Sequence, residues 1–216
     1  MKLLTAPRLP ADLRRVIDER LADEVEWSEV EVTGDFTGTT ATAVVVSAAR
    51  LASVRLAGAT LERVRMTDVV ADGCDFSGAL LDEAHLTRVE FRRCRMSGVV
   101  MTRGRLRDVR FVGCRADDAN LRMTAGERVH LEDVVLRGAD FGSVKWSGAR
   151  FFDCDLTGAS FTKADLAGAR LHGSRLDEVR GGAGLKGVVI DGAQVVPLAE
   201  AVFRALGIAV DGEREA

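Results

Sequence analysis

Residues 74–94 read CDFSGALLDEAHLTRVEFRRC, and the residue types in this stretch repeat every five positions. One set of positions carries large apolar side chains: Phe76, Leu81, Leu86 and Phe91. The set two places earlier carries small ones and begins and ends on a cysteine: Cys74, Ala79, Ala84, Val89 and Cys94. Because a helix repeats every 3.6 residues and a strand every 2, this period predicts repeat units that bury their apolar faces by stacking.

The same period continues on both sides of the stretch, over about residues 34–179. The large column runs over 36–176, with Gly126 as its one non-apolar member, and the small column runs over 44–169. A coil with flat sides satisfies both columns if each side turns one large and one small residue inward. Four sides of five residues then close a coil of about twenty, and the coils stack at the ~4.8 Å spacing of a β-ladder.

The cysteines support closure after four sides. They are Cys74, Cys94, Cys114 and Cys154, with Val134 in the gap. Six glycines keep the same spacing of twenty or its multiple at the following corner: Gly38, Gly58, Gly78, Gly98, Gly138 and Gly158. We therefore expect the cysteines to lie one above another as free thiols that fill the core.

A metal or redox role for these cysteines is not expected. Parallel Cβ vectors aim the sulfurs alike rather than at each other, and the sequence has no Cys-x-x-Cys pair. The histidines His85, His130 and His172 face outward and are separated by one or more coils. The sequence therefore predicts no metal site and no cofactor.

These features resemble the pentapeptide-repeat family, whose consensus is A(D/N)LXX. The segments that carry the resemblance are Ala139-Asp140-Phe141, Ala159-Ser160-Phe161, Ala164-Asp165-Leu166 and Cys74-Asp75-Phe76-Ser77-Gly78. The resemblance covers about two-thirds of the chain. It implies an all-β solenoid, a right-handed quadrilateral (four-sided) parallel β-helix. It also implies two properties known in the family, which are pairing through C-terminal helices and mimicry of DNA by an acidic rod.

The period divides the chain into three parts. Residues 1–33 form a non-repeat N-terminal cap, residues 34–180 form the β-helix of about seven coils, and residues 181–216 form an irregular coil, a helix and a tail. In the cap, apolar residues at helical spacing predict a short helix over 12–22, with Asp12 as its N-cap. A strand is predicted to follow it over 25–32.

One position of the large column, Gly126, breaks the pattern. Either a large neighbouring side chain fills the space or the coil bulges there, and we expect local irregularity over 123–128. Such a bulge is either a tolerated packing defect or a place where a partner binds.

The C-terminal part predicts a helix between Pro197, which suits its first position, and Gly207, which suits the position just past its end. Its apolar residues recur about every four positions: Leu198, Val202, Phe203 and Leu206. A β-rod exposes an apolar core and unpaired backbone at its end, so the helix is expected to cap the rod. Pairing of two rods through this helix, the homodimer that the resemblance implies, is the alternative.

Composition limits the function. The formal net charge of −3 and the pI of about 5.7 do not favour direct nucleic-acid binding, and no apolar stretch is long enough to span a membrane. The start of the chain lacks the apolar run of a signal peptide, so a cytoplasmic location is expected. No catalytic motif is present and a convex rod offers no pocket, so catalysis is not expected.

The surface is where a function is expected to lie. Our leading interpretation is a non-enzymatic scaffold that binds an unknown protein partner. The alternative is a DNA mimic that binds DNA gyrase and protects it from quinolones. Residues 82–130 carry eleven bases against seven acids, which disfavours mimicry because a DNA mimic needs rows of negative charge.

Two further expectations concern outward side chains. The stacked arginines Arg88, Arg107, Arg110 and Arg128 are expected to form salt bridges with neighbouring acids. Val112 and Phe152 share a column and form either a small apolar contact patch or unrelated surface residues.

Overall fold

A computed structural model describes residues 3–17 and 19–209 and shows an all-parallel β-solenoid of about seven coils with one short C-terminal helix. Most of its strands form a single sheet, and β4 and β6 form a second ladder. The strands are β1 Arg14–Ile17, β2 Glu26–Ser28, β3 Val30–Thr33, β4 Thr40–Thr42, β5 Val45–Ala52, β6 Thr60–Glu62, β7 Arg65–Asp72, β8 His85–Arg92, β9 Arg105–Val112, β10 Ala125–Glu132 and β11 Arg150–Phe152. The helix is α1, Val195–Ala205.

The backbone register repeats every twenty residues, as the cysteines predict. Val69 pairs with Val89, and Val89 pairs with Val109. Two further ladders of single bridges run along the rod, for example at Asp75↔Arg95 and Leu80↔Val100. Each coil therefore pairs with the next on four sides, which confirms the predicted solenoid; its right-handed sense stays an expectation from the family resemblance.

The two predicted columns form the core. The largest fully buried side chains belong to the large column and include Phe76, Phe141 and Trp146. Rings in successive coils stack almost parallel, at 5.0 Å for Phe91 and Phe111 and at 5.1 Å for Phe141 and Phe161. Because side chains fill the interior, the residues that vary between coils point to solvent.

The backbone at Gly126 is regular, so the predicted irregularity over 123–128 is wrong. β10 keeps its register, with Gly126 opposite Leu106. A Cβ atom added to Gly126 would lie 2.6 Å from Cδ1 of Trp146, which occupies the same position in the next coil. The first of the two alternatives is correct, because a large neighbouring side chain fills the gap.

The predicted helix over 12–22 is also wrong. Residues 14–17 form β1, which pairs in parallel with β3. The first coil leaves a row of unpaired backbone groups at the sheet edge, and the chain satisfies them by adding a strand. Of the four residues of β1, Val16 alone is buried. The strand predicted over 25–32 is confirmed as β2 and β3.

The last coil is irregular, as the loss of the period predicts. Gly182–Leu185 forms a 3-10 turn with Leu185 buried. Val189 then pairs with Arg170, nineteen residues earlier rather than twenty. A second 3-10 turn, Gly192–Gln194, leads directly into α1. The chain thus leaves the regular winding and crosses the end of the rod.

Candidate functional site

The C-terminal helix begins two residues before Pro197, so this proline lies in the first turn rather than at the first position. The preceding turn is capped by Asp191, whose carboxylate accepts the Ala193 N–H while Gln194 Oε1 accepts the Asp191 N–H at 2.9 Å. At the other end Gly207 is left-handed, and the Ile208 N–H donates to the Phe203 carbonyl at 2.9 Å. This arrangement is a Schellman end, so the predicted stop at Gly207 is confirmed.

The helix divides its apolar residues between two faces. Leu198 and Ala201 are buried, and the half-buried Val202 packs against the core. Phe203 is 39% exposed and Leu206 is 68% exposed. Val196 and Ile208 add to this outer apolar surface. One face therefore covers the end of the rod while a second apolar face remains open to solvent.

The four cysteines are buried free thiols, as predicted. Each thiol donates to a main-chain carbonyl, as Cys74 does to Leu51 at 3.3 Å and Cys154 does to Phe152 at 3.4 Å. Burial raises the pKa of Cys154 to about 12, which keeps the thiol protonated at neutral pH. The column continues through the buried Ser174 to Gln194, whose Nε2 donates to the Ser174 carbonyl at 2.6 Å.

The histidines do not come together. His85 is exposed, while His130 and His172 are half-buried in separate coils. Burial lowers the pKa of His130. In the described parts of the chain no three His, Cys, Asp or Glu side chains are arranged to hold a metal ion.

Arginine–carboxylate pairs between coils dominate the surface, as predicted. Two pairs with two hydrogen bonds each lie along one corner, where Asp68, Arg88, Asp108 and Arg128 follow one another in successive coils. Arg88 binds Asp68 with two hydrogen bonds of 2.6 and 2.7 Å, and Arg128 binds Asp108 with bonds of 2.6 and 2.8 Å. These bonds hold the pKa of both carboxyls below the ordinary value. Arg110 similarly contacts Glu90 and Glu132, and Arg107 contacts Glu127.

The N-terminal segment lies along this corner, a contact that the sequence pattern does not predict. The Arg8 N–H donates to Asp68 and the Thr5 N–H donates to Asp108, both at 3.0 Å. The two carboxylates are two coils apart, about 10 Å, which three extended residues span. The sequence feature that could indicate this contact is the presence of Asp at two positions of one column, 68 and 108.

The two apolar surface residues do not form a continuous patch. Val112 and Phe152 occupy one column, but Glu132 stands between them. Both are half-buried, and Phe152 contacts the ring of His172. We therefore treat them as separate surface residues.

No helix within the described residues is long and apolar enough to cross a membrane.

Comparison with protein families gives two matches. A model described as "Pentapeptide repeat region" matches residues 84–161, and one described as "Pentapeptide repeats (8 copies)" matches residues 147–180. No curated protein matches the chain.

Comparison with solved structures gives several matches of low sequence identity. A trypsin-treated variant of QnrB1, described as a plasmid-mediated fluoroquinolone resistance protein, is 22% identical with a TM-score of 0.39, covering 88% of this chain and 99% of the other. HetL, a pentapeptide repeat protein involved in heterocyst differentiation regulation in the cyanobacterium Nostoc sp. strain PCC 7120, is 18% identical with a TM-score of 0.21, covering 73% and 89%. Rfr23 of the cyanobacterium Cyanothece 51142 is 20% identical with a TM-score of 0.20, covering 64% and 88%. At these identities the likeness concerns the fold alone.

Proposed function

The chain belongs to the pentapeptide-repeat family, and from this premise we propose that it is a non-enzymatic cytoplasmic scaffold that binds another protein through the outside of its rod. The observation that carries the proposal is the separation of roles within each five-residue unit. Two positions fill the core, and the other three present side chains on a rigid surface built in ~4.8 Å steps. Such a surface can recognise a partner without moving.

Photo-crosslinking tests this proposal, with the full-length chain carrying a photo-reactive residue at a position in an outward column. We expect a defined protein to crosslink from outward positions, and the purified pair to bind in calorimetry. A probe at the exposed Arg95 suits this purpose, since 78% of its side chain is accessible. The scaffold proposal would be refuted if no outward probe crosslinks a protein that also binds the chain when both are purified.

We also propose that two chains pair through α1. The outer face of the helix carries Phe203, Leu206, Val196 and Ile208, and apolar residues grouped in this way are typical of an interface. Light scattering at two concentrations should give about twice the chain mass of 23.2 kDa. L206E should give the mass of one chain, while I17E, at an equally exposed residue near the other end, should leave the mass doubled. A single-chain mass for the wild type at both concentrations would contradict pairing.

The second candidate, mimicry of DNA toward gyrase, has less support from the surface. A duplex mimic needs rows of negative charge, whereas residues 82–130 carry more bases than acids, and acids alternate with arginines in the column of Asp68 and Arg88. DNA mimicry can be tested by adding the chain to a supercoiling assay with purified gyrase, with and without a quinolone. Protection by micromolar chain would establish mimicry, and an unchanged reaction would remove it.

A further inference from the structure

One outward column brings together several cations that have no acidic partner among the described residues. It contains Arg65, His85, Arg105 and Lys145, with Ala125 between the last two, and we call it the cationic column. These residues lie opposite one another in successive coils. All of them are exposed, and none forms an ion pair within the described residues.

This lack of partners contrasts with the neighbouring columns. Arg88, Arg110 and Arg128 each contact a carboxylate of an adjacent coil. In the cationic column Arg65, His85 and Arg105 instead occupy three successive coils at steps of about 4.8 Å, and Lys145 follows two coils later. Arg65, Arg105 and Lys145 thus stand two coils apart, about 10 Å, with no carboxylate of the column between them.

The column also contains a depression that is large enough to admit an acidic side chain. Ala125 has no long side chain, and the space above it, about 390 Å³, is bordered by Thr87, Arg105, Glu127 and Lys145. Arg105 and Lys145 stand one coil to either side, each about 4.8 Å along the rod. A carboxylate seated over Ala125 is within reach of both cations, and arginine can bind it with two hydrogen bonds.

The ends of the column limit the length of the ligand. From Arg65 to Lys145 it covers four steps, or about 19 Å, which is about six extended residues. Beyond Lys145 the next position is Asp165, and beyond Val45 at the other end it is Glu26. A nucleic-acid strand running along the rod would meet these carboxylates, whereas a short acidic segment fits between them.

We propose that the cationic column is the face on which the scaffold binds an acidic segment of a partner protein, with one carboxylate held over Ala125 between Arg105 and Lys145. This inference rests on the proposed scaffold function and names the chemistry of its partner.

Fluorescence anisotropy with a labelled peptide containing six consecutive glutamates tests the proposal. The wild-type chain should bind this peptide and should not bind the peptide with glutamines in their place. R65Q/R105Q/K145Q should weaken binding about tenfold or more, because each lost cation removes a charge-assisted contact. R55Q/R95Q/R175Q removes the same charge from another side and should stay within about twofold of wild type, since distant surface charges are largely screened.

A third variant tests the seat at Ala125. A125L keeps every charge but fills the depression, so it should weaken peptide binding severalfold and leave the thermal unfolding midpoint within about 2 °C of wild type, as expected of an exposed substitution. Circular dichroism confirms that the variants fold.

Three outcomes would overturn the assignment. These are equal binding of the glutamate and glutamine peptides, equal losses in the two triple variants, and tighter binding of a twelve-nucleotide oligothymidine than of the peptide through the same column. If the crosslinked partner of the scaffold experiment is retained by R65Q/R105Q/K145Q, the scaffold function stands and the cationic column is not its binding face.

Discussion

Trp146 lies directly over Gly126 in the next coil, and the indole occupies the volume that the glycine leaves empty. Stacking therefore matches side-chain size between coils as well as within them. Neighbouring coils can carry unequal residues in the axial column, provided that the pair together fills the space.

The first prediction concerns this pair. G126A should destabilise the chain by about 1–3 kcal/mol, because the new Cβ meets Trp146 at 2.6 Å. W146L should also be destabilising, since it leaves a cavity. In urea unfolding the double variant G126A/W146L should cost less than the sum of the single variants. Additive effects would contradict the size matching.

The second prediction concerns pH. Arg128 holds the pKa of Asp108 below the ordinary value, so the stabilisation by this carboxylate is present above about pH 3.9 and is lost as the pH falls through the lower folded value. The unfolding free energy of the wild type should therefore fall more steeply below pH 4 than that of D108N. Unfolding titrations at several pH values measure this difference. D133N, at an exposed carboxylate without an ion pair among the described residues, should keep the wild-type slope.

The third prediction concerns the thiols. Because all four cysteines are buried, none should react with a thiol reagent in the native chain at pH 8. All four should react once the chain is unfolded in guanidinium. Absorbance assays before and after unfolding count the reactive groups. Rapid labelling of the native chain would show that the column opens to solvent.

The fourth prediction separates the two faces of α1. L198A should cost about 2–4 kcal/mol, because Leu198 is buried against the end of the rod. L206A removes the same atoms from an exposed site and should change the stability of the single chain by less than about 0.5 kcal/mol. Urea unfolding at low protein concentration, with limited proteolysis of the C-terminal part, measures both. Equal losses would mean that the helix does not cap the rod.

Much of this architecture can be predicted from the sequence because one spacing determines it. The twenty-residue register, the buried cysteines and the inward columns all follow from counting in fives. The helix over 12–22 was predicted incorrectly because four apolar residues at helical spacing are weak evidence beside an open sheet edge. The irregularity expected at Gly126 is absent because the size of the residue twenty positions later, Trp146, decides between a bulge and a filled gap.

The candidate sites were less predictable. The contact of Thr5 with Asp108 joins residues 103 apart through a backbone N–H, a group that every non-proline residue carries. The division of α1 into two faces depends on how the helix crosses the rod end, which the pattern of Leu198, Val202 and Leu206 does not specify. The cationic column becomes distinctive only when the acids around the other arginines are known.

The fixed register also governs how the rod tolerates changes in length. Removing one whole coil, such as residues 54–73, would shorten the rod by one coil and leave every later residue on the same side of the rod as before. Removing five residues would keep both inward columns but rotate everything beyond the cut by a quarter turn. The cations before and after the cut would then face different directions. Insertions and deletions that preserve the binding face of such a chain should therefore come in multiples of twenty residues, although the core alone permits multiples of five.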